Sequence, residues 1–137
     1  FHRALGEIMI SKCGISRNRN DLKSALEEVE ILSNDFYSNL KIPETNSGLN
    51  VELEKALRLE DFIELSILMI KDAIEREESC GAHFREEYQT KEGEAKRNDE
   101  LFSHIAVWKF NSENNSHIRF SEDLNFKKIN LNTRNYK

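Results

Sequence analysis

The chain has 137 residues, of which 33% are charged and 38% are hydrophobic, and its formal net charge is -5. This length and balance are typical of a single domain with a modest core. Because the chain is acidic and its Lys and Arg residues are scattered, a general nucleic-acid surface is not expected. No apolar run approaches the ~20 residues that a membrane-spanning helix needs, so we expect no direct membrane insertion. The sequence begins at Phe1 without a methionine, from which we expect a fragment or a processed product.

Two helices are predicted in the first part of the chain. Residues 2–12 carry apolar side chains at helical spacing, and Gly14 is expected to end this helix in a left-handed conformation. Asn18 is the expected N-cap of a second helix, which runs to about Leu40. The only proline, Pro43, then breaks the helical pattern.

The strongest predicted element is a third helix, from Val51 to Glu78. It carries two apolar stripes at helical spacing. The first comprises Leu53, Ala56, Leu57, Ile63, Ile67, Ile70 and Ile74, and the second comprises Leu59, Phe62, Met69 and Ala73. A helix with two apolar sides is typical of a central position between neighbours in a bundle. Gly81 is expected to end this helix with a positive φ.

The pattern changes after the third helix. Residues 85–100 are polar and predict an irregular surface loop. Residues 102–110 alternate and are rich in β formers, which predicts a strand, and residues 117–120 are its expected partner. The last residues, 126–136, are predicted to be extended.

The predicted fold class is therefore mainly α, with a three-helix bundle followed by a small C-terminal β-hairpin and an extended tail. We expect one domain over residues 1–137. Its helical bundle covers residues 1–81, and its loop, hairpin and tail cover residues 82–137.

The two cysteines, Cys13 and Cys80, do not indicate a reactive site. They lie far apart in the sequence, which fits a reducing compartment rather than a disulfide framework. The functional alternative is a thiolate nucleophile at Cys80 near His83, but three neighbouring glutamates disfavour a thiolate there. Those glutamates also oppose the dipole of a helix C-terminus. The glutamates are Glu75, Glu77 and Glu78, and the cations expected to pair with them are Arg76 and Arg85, with His83 as the third candidate.

No other pattern predicts catalysis, cofactor binding or metal binding by this chain. The four histidines are dispersed, so they do not have the spacing of a metal site. Paired carboxylates fall mostly on exposed helix positions, where a solvated face explains them. The glycines stand singly, so no phosphate-binding loop is present. The residues alone predict a helical module that packs against another surface.

The segment REESCGAHFREEYQTKEGEAKRNDELF resembles the C-terminal domain of the flavoprotein subunit of succinate dehydrogenase and fumarate reductase. The matching residues are Glu78, Ser79, Gly81, Ala82, His83, Arg85 and Tyr88, followed by Arg97, Asn98 and Asp99. Cys80 departs from the pattern, because Arg is usual at its position. Three further stretches are similar to the family's first helix, central helix and closing Arg-x-Tyr tail. These are LGEIMISKCGISRN, LNVELEKALRLEDFIELSILMIKDAI and LNFKKINLNTRNYK.

This resemblance implies a parent enzyme that interconverts succinate and fumarate by FAD-mediated hydride transfer. It implies two partners, the flavin-binding domain of the same subunit and an iron–sulfur subunit. It also implies a cytoplasmic location at the inner face of the cell membrane. The family's flavin and substrate motifs lie upstream of this segment and do not occur in it. No catalytic, FAD-contacting or metal-binding residue is therefore assigned, and the fragment alone is expected to be inactive.

The resemblance implies a role in inter-domain or assembly contacts for five residues. These are His83, Arg85, Tyr88, Arg134 and Tyr136. We also expect an exposed apolar side that includes the first helix and residues 82–88, because a fragment would leave its inter-domain face bare. Two alternatives stay open. One is the same domain of an L-aspartate oxidase-like flavoenzyme, and the other is an independent helical interaction module.

Overall fold

The computed structural model describes residues 1–44, 48–130 and 132. The chain divides into two compact units, Phe1–Glu75 and Arg76–Lys137. The fold is mainly α, as predicted. No helix among the described residues is both long enough and apolar enough to cross a membrane.

The first helix, α1, spans His2–Lys12 and is followed by a turn at Gly14. We predicted a positive φ for Gly14, and this prediction is wrong. Among the described glycines, those with a positive φ are Gly81 and Gly93. A glycine is needed at position 14 for a different reason. A Cβ at this position would lie 2.8 Å from the carbonyl oxygen of Ile10. The short strand β1, Ser16–Arg17, follows this turn.

The second helix, α2, spans Arg19–Asn39 and begins at the predicted cap. The side-chain oxygen of Asn18 accepts a hydrogen bond from the backbone N–H of Asp21 at 2.9 Å. This satisfies one of the N–H groups that a helix leaves unpaired at its start. Helix α2 packs against α1 and also against the third helix.

A polar contact joins α1 to α2 beside their apolar contact. The ammonium group of Lys12 donates to the hydroxyl of Ser24 at 2.9 Å and pairs with the carboxylate of Glu28. The hydrogen bonds from Lys12 and Ser24 lower the pKa of Glu28 below its ordinary value. The contact therefore favours the charged form of this carboxylate in the folded chain.

The third helix, α3, spans Val51–Glu75 and buries one face rather than two. Its buried positions are spaced alternately three and four residues apart, and they are Ala56, Leu59, Ile63, Ser66, Ile70 and Ala73. This spacing places them on one side of the helix. Phe62 and Met69, which we assigned to a second buried stripe, are exposed. Within the described residues α3 packs mainly against α2 and also contacts α1, so it has the two neighbours that were predicted. The second buried side that we predicted for α3 is wrong, because Phe62 and Met69 are not covered.

Helix α3 ends at Glu75, three residues before the predicted end at Glu78. Gly81 has the positive φ that was predicted, +59°, but it does not end the helix. Gly81 and Ala82 form a two-residue turn between Cys80 and His83. The backbone N–H of each flanking residue donates to the carbonyl of the other, at 2.8 and 3.1 Å. Glycine at the first turn position is typical of a type II′ hairpin turn.

Replacing Gly81 with Ala should destabilise the unit Arg76–Lys137 by about 1–2 kcal/mol, because an L residue is strained at this φ. A clash is not the cause, since a Cβ at Gly81 would have no heavy atom within 4 Å. Denaturant unfolding followed by tryptophan fluorescence measures the loss. The control is Gly6→Ala inside α1, which lies in the unit Phe1–Glu75. It should stabilise that unit slightly, as measured by helical circular dichroism. A loss below about 0.3 kcal/mol for Gly81→Ala would contradict the role assigned to this turn.

Two short elements overlap the two ends of residues 85–100, which were predicted to be an irregular loop. Strand β2 spans Phe84–Arg85, and helix α4 spans Asp99–Phe102. The side chain of Asn98 caps α4 by accepting a hydrogen bond from the backbone N–H of Leu101 at 3.3 Å.

Strands β3, His104–Asn111, and β4, Ser116–Asp123, pair antiparallel through a four-residue turn. Asn115 in this turn has φ +50°, a conformation that Asn tolerates better than most residues. The register places an apolar group on one face of the hairpin, and its members are Ile105, Val107, Ile118 and Phe120. All four are exposed.

Candidate functional site

A buried ion pair between Arg76 and Glu78 organises the chain that follows α3. Glu78 is 2% exposed, and its Oε1 accepts a hydrogen bond from the Nε of Arg76 at 2.9 Å. Its Oε2 accepts a hydrogen bond from the backbone N–H of Asn98 at 2.7 Å. Arg76 also donates to the carbonyl oxygen of Phe102 at 2.9 Å. The expected pairing of Arg76 with a glutamate after the helix is thus confirmed, and it connects residues 76–78 to residues 98–102.

Arg85 is buried in the same unit, with 1% of its surface exposed. Its Nε donates to the carboxylate of Glu87 at 3.1 Å, and its guanidinium lies 5.5 Å from the ring centre of Tyr88. Its backbone N–H donates to the hydroxyl of Ser79 at 2.8 Å, and this hydroxyl donates to the carbonyl of Arg85 at 3.1 Å. These contacts hold Arg85 in place from both its side chain and its backbone.

His83 and Cys80 both belong to the turn around Gly81. The Nε2 atom of His83 lies 2.9 Å from the carbonyl oxygen of Arg76, which favours the tautomer that carries a proton on this nitrogen. The thiol of Cys80 is free and half-buried. In this geometry the imidazole of His83 bonds to the backbone rather than acting as a base for a nucleophile.

The side chain of Arg97 contacts the start of the tail at Asn132. Its Nε donates to the carboxylate of Asp99 at 2.9 Å, and its other end donates to the carbonyl oxygen of Asn132 at 3.2 Å. Arg134 and Tyr136, which we singled out for assembly contacts, lie outside the described residues.

Within residues 1–44, 48–130 and 132, no group of three or more His, Cys, Asp or Glu side chains is placed to hold a metal ion. Burial raises the pKa of the Cys13 thiol, and the nearby charge of Arg17 offsets this only in part. Cys13 is therefore a packing residue in the core rather than a nucleophile.

A row of exposed apolar side chains runs along α3. We name Phe62, Leu65 and Met69 the α3 stripe, and each of the three is 54% exposed. Ile10 of α1 is exposed as well, as expected for the first helix. The expectation of a bare apolar surface at residues 82–88 is wrong, because Phe84 and Tyr88 are half-buried. Leu65 was missed in the sequence, although its spacing from the other two members would have revealed it.

A groove adjoins the α3 stripe within the unit Phe1–Glu75. Its volume is about 510 Å³, and its lining includes Phe1, Leu40, Pro43, Leu59 and Phe62. Phe62 therefore belongs to both the groove and the α3 stripe. The ring of Phe1 packs edge-on against Phe36, with the ring centres 5.5 Å apart.

Nearly the whole chain matches one known family. The family is described as fumarate reductase flavoprotein C-term, and the match covers residues 2–136. The chain belongs to this family. The resemblance found in the sequence motifs is thereby confirmed. The structure of the described residues does not explain why Cys80 stands at the position where the family usually has Arg.

Relatives of this flavoprotein C-terminal chain include components of fumarate reductases. One of them belongs to the fumarate reductase (CoM/CoB) of Methanothermobacter marburgensis and is 39% identical over 93 residues, which are 68% of this chain and 17% of that protein. The fumarate reductase flavoprotein subunit of Mycobacterium tuberculosis is 30% identical over 84 residues, which are 61% of this chain and 14% of that protein. The chain therefore spans less than a fifth of the length of these relatives.

A solved structure of Escherichia coli quinol fumarate reductase FrdA, in a variant form, has a similar fold. The TM-score is 0.78, and the similarity covers 93% of this chain and 21% of that chain. The sequence identity is 23%, so this likeness supports the flavoprotein C-terminal fold alone.

Proposed function

We propose that this chain is the C-terminal domain of a flavoprotein subunit that interconverts succinate and fumarate. The observation that carries the proposal is the family match over residues 2–136. Relatives named as fumarate reductase flavoprotein subunits support the same assignment. In the parent subunit, FAD would supply the hydride-transfer chemistry.

The role of this chain in the parent is structural. Its buried charged side chains, Glu78 and Arg85, have partners inside the chain, and their contacts hold irregular backbone in place. We infer that in the intact subunit the three helices form a bundle that is followed by the hairpin and an extended tail. We also propose that it is a single domain over residues 1–137.

The partners we propose are the flavin-binding domain of the same subunit and an iron–sulfur subunit. The proposed location is cytoplasmic, with the complex at the inner face of the cell membrane. The similarity to a protein named quinol fumarate reductase supports this, because quinols are membrane-dissolved reductants. Assembly or inter-domain contacts are the role we propose for His83, Arg85, Tyr88, Arg134 and Tyr136. The bond from Arg97 to Asn132 supports a held tail rather than a free one.

The complete reading frame that contains this chain should yield a protein with bound flavin and succinate-dependent dye reduction. The isolated 137-residue chain should show neither property, because it has no loop that could hold the phosphates of a dinucleotide. Flavin absorbance per subunit and dye reduction with succinate or L-aspartate are the measurements. Reduction driven by L-aspartate instead of succinate would favour the aspartate oxidase alternative. A reading frame without a flavin domain would favour an independent interaction module.

The same preparation tests the tail. Arg134→Ala in the complete subunit should lower bound flavin per subunit, because Arg offers a planar fork for carboxylates or backbone carbonyls. Lys137→Ala, three residues after Arg134, is the matched control and should leave bound flavin unchanged. Unchanged flavin content and thermal stability in Arg134→Ala would exclude the assembly role of the tail.

A further inference from the structure

We propose that the α3 stripe and the adjoining groove form the docking surface for the part of the same polypeptide that precedes Phe1 in the complete subunit. This inference rests on the proposed function. It deepens that function by assigning the inter-domain contact to a particular face of one helix.

The first observation is the position of the α3 stripe. Phe62, Leu65 and Met69 are spaced by three and four residues, which places them along one side of α3. This side is distinct from the buried face that includes Ile63 and Ile70. A helix that is apolar on two sides is typical of a helix with two neighbours. Among the described residues α3 contacts α1 and α2 and buries one side, while the α3 stripe stays exposed. The surface that covers the α3 stripe is therefore to be sought outside the described residues.

The second observation is the groove at the end of the α3 stripe. Phe62 lines the groove together with Phe1, so the apolar surface continues from α3 to the first residue of the chain. Lys41, Glu52, Lys55 and Arg58 lie in the same lining. Protein interfaces combine apolar side chains with charged ones, so this mixed lining is compatible with an interface.

The third observation indicates whether the docking surface binds a part of the same polypeptide or a separate protein. The relatives are five or more times longer than the region that this chain matches, since the matched regions are 17% and 14% of their lengths. On the proposed function, most of the subunit therefore precedes Phe1. The contact of Phe1 with Phe36 fixes the first residue at the groove. Polypeptide joined to Phe1 is thus delivered to this surface at a high effective concentration, which a separate protein does not have.

The test is site-specific photo-cross-linking in the complete subunit. The photoreactive amino acid p-benzoylphenylalanine is placed at Leu65 in one variant and at Ile31 in the control. Ile31 lies on α2 and is 68% exposed, so it is a matched apolar surface position outside the stripe and groove. After irradiation, mass spectrometry should identify a link from position 65 to a peptide upstream of Phe1 in the same polypeptide. Position 31 should give at least tenfold less of this product.

A second measurement avoids a bulky probe. The thiol of Leu65→Cys in the complete protein should react with a maleimide at least tenfold more slowly than the thiol of Ile31→Cys, read site by site by mass spectrometry. Equal rates at the two positions would overturn the proposal, as would a cross-link from position 65 to another subunit or to a second copy. Flavin content and succinate-dependent dye reduction of the same preparations report on the proposed function separately. A flavin-bearing, active subunit with an accessible position 65 would therefore contradict the docking surface alone.

Discussion

Replacing Ile70 with Ala should lower the free energy of unfolding of the helical unit by about 2–5 kcal/mol. Ile70 is fully buried in the core that also contains Leu22 and Val29 of α2. Truncation removes apolar contacts and leaves a cavity that helices of fixed length can close only in part. Urea denaturation followed by helical circular dichroism measures the loss, because α1, α2 and α3 all lie in this unit.

The control for this prediction is the neighbouring residue on the same helix. Met69→Ala should cost less than about 1 kcal/mol, because Met69 is exposed and its truncation leaves no enclosed cavity. Ile67 is half-buried, and its truncation should fall between the two. Equal losses at Ile70 and Met69 would mean that the buried face of α3 has been misassigned.

Replacing Arg76 with Ala should destabilise the unit Arg76–Lys137 by about 3–5 kcal/mol, because it leaves the carboxylate of Glu78 buried without its cationic partner. We expect the lower end of this range, since the side chain of Arg76 is itself 30% exposed. Trp108 is the only tryptophan of the chain and lies in this unit. Its fluorescence therefore reports unfolding of this unit during urea denaturation.

A double variant separates the buried charge from the lost contacts of Arg76. Adding Glu78→Gln to Arg76→Ala removes the negative charge while keeping the size and an acceptor for Asn98. The double variant should therefore be more stable than Arg76→Ala alone. Arg58→Ala breaks an exposed ion pair with Glu54 in the helical unit. It should cost that unit less than about 1 kcal/mol, as measured by urea denaturation followed by helical circular dichroism. If the double variant is no more stable than Arg76→Ala, the loss does not arise from the buried charge.

The helices are the part of the fold that local patterns predict best. Apolar periodicity and the cap at Asn18 depend on residues close together in sequence, and these placed α1 and the start of α2 correctly. The end of α3 was misplaced because residues 76–78 are also compatible with a helix. The carboxylate of Glu78 instead bonds to Asn98, 20 residues away, and a contact at that distance leaves no local signal.

The candidate site could be predicted only in part. A glutamate near a helix end calls for a cation, and this argument identified Arg76. The burial of Arg85 had no signal in the sequence, because arginine is rarely buried completely and its partners depend on the fold of the loop. Periodicity also showed that α3 is apolar on two sides. It does not show whether the second side is covered by this chain or by another part of the protein.

The order of contacts along the chain has a consequence for the speed of folding. Helix α2 packs on its sequence neighbours α1 and α3, and β3 meets β4 across a four-residue turn. Chains dominated by such short-range contacts have low contact order and fold in microseconds to milliseconds, far faster than polypeptide leaves the ribosome. On the proposed function, this region is synthesised after most of the subunit. We therefore expect that the α3 stripe forms when its partner surface is already available, which shortens the time during which a nascent chain exposes it to aggregation.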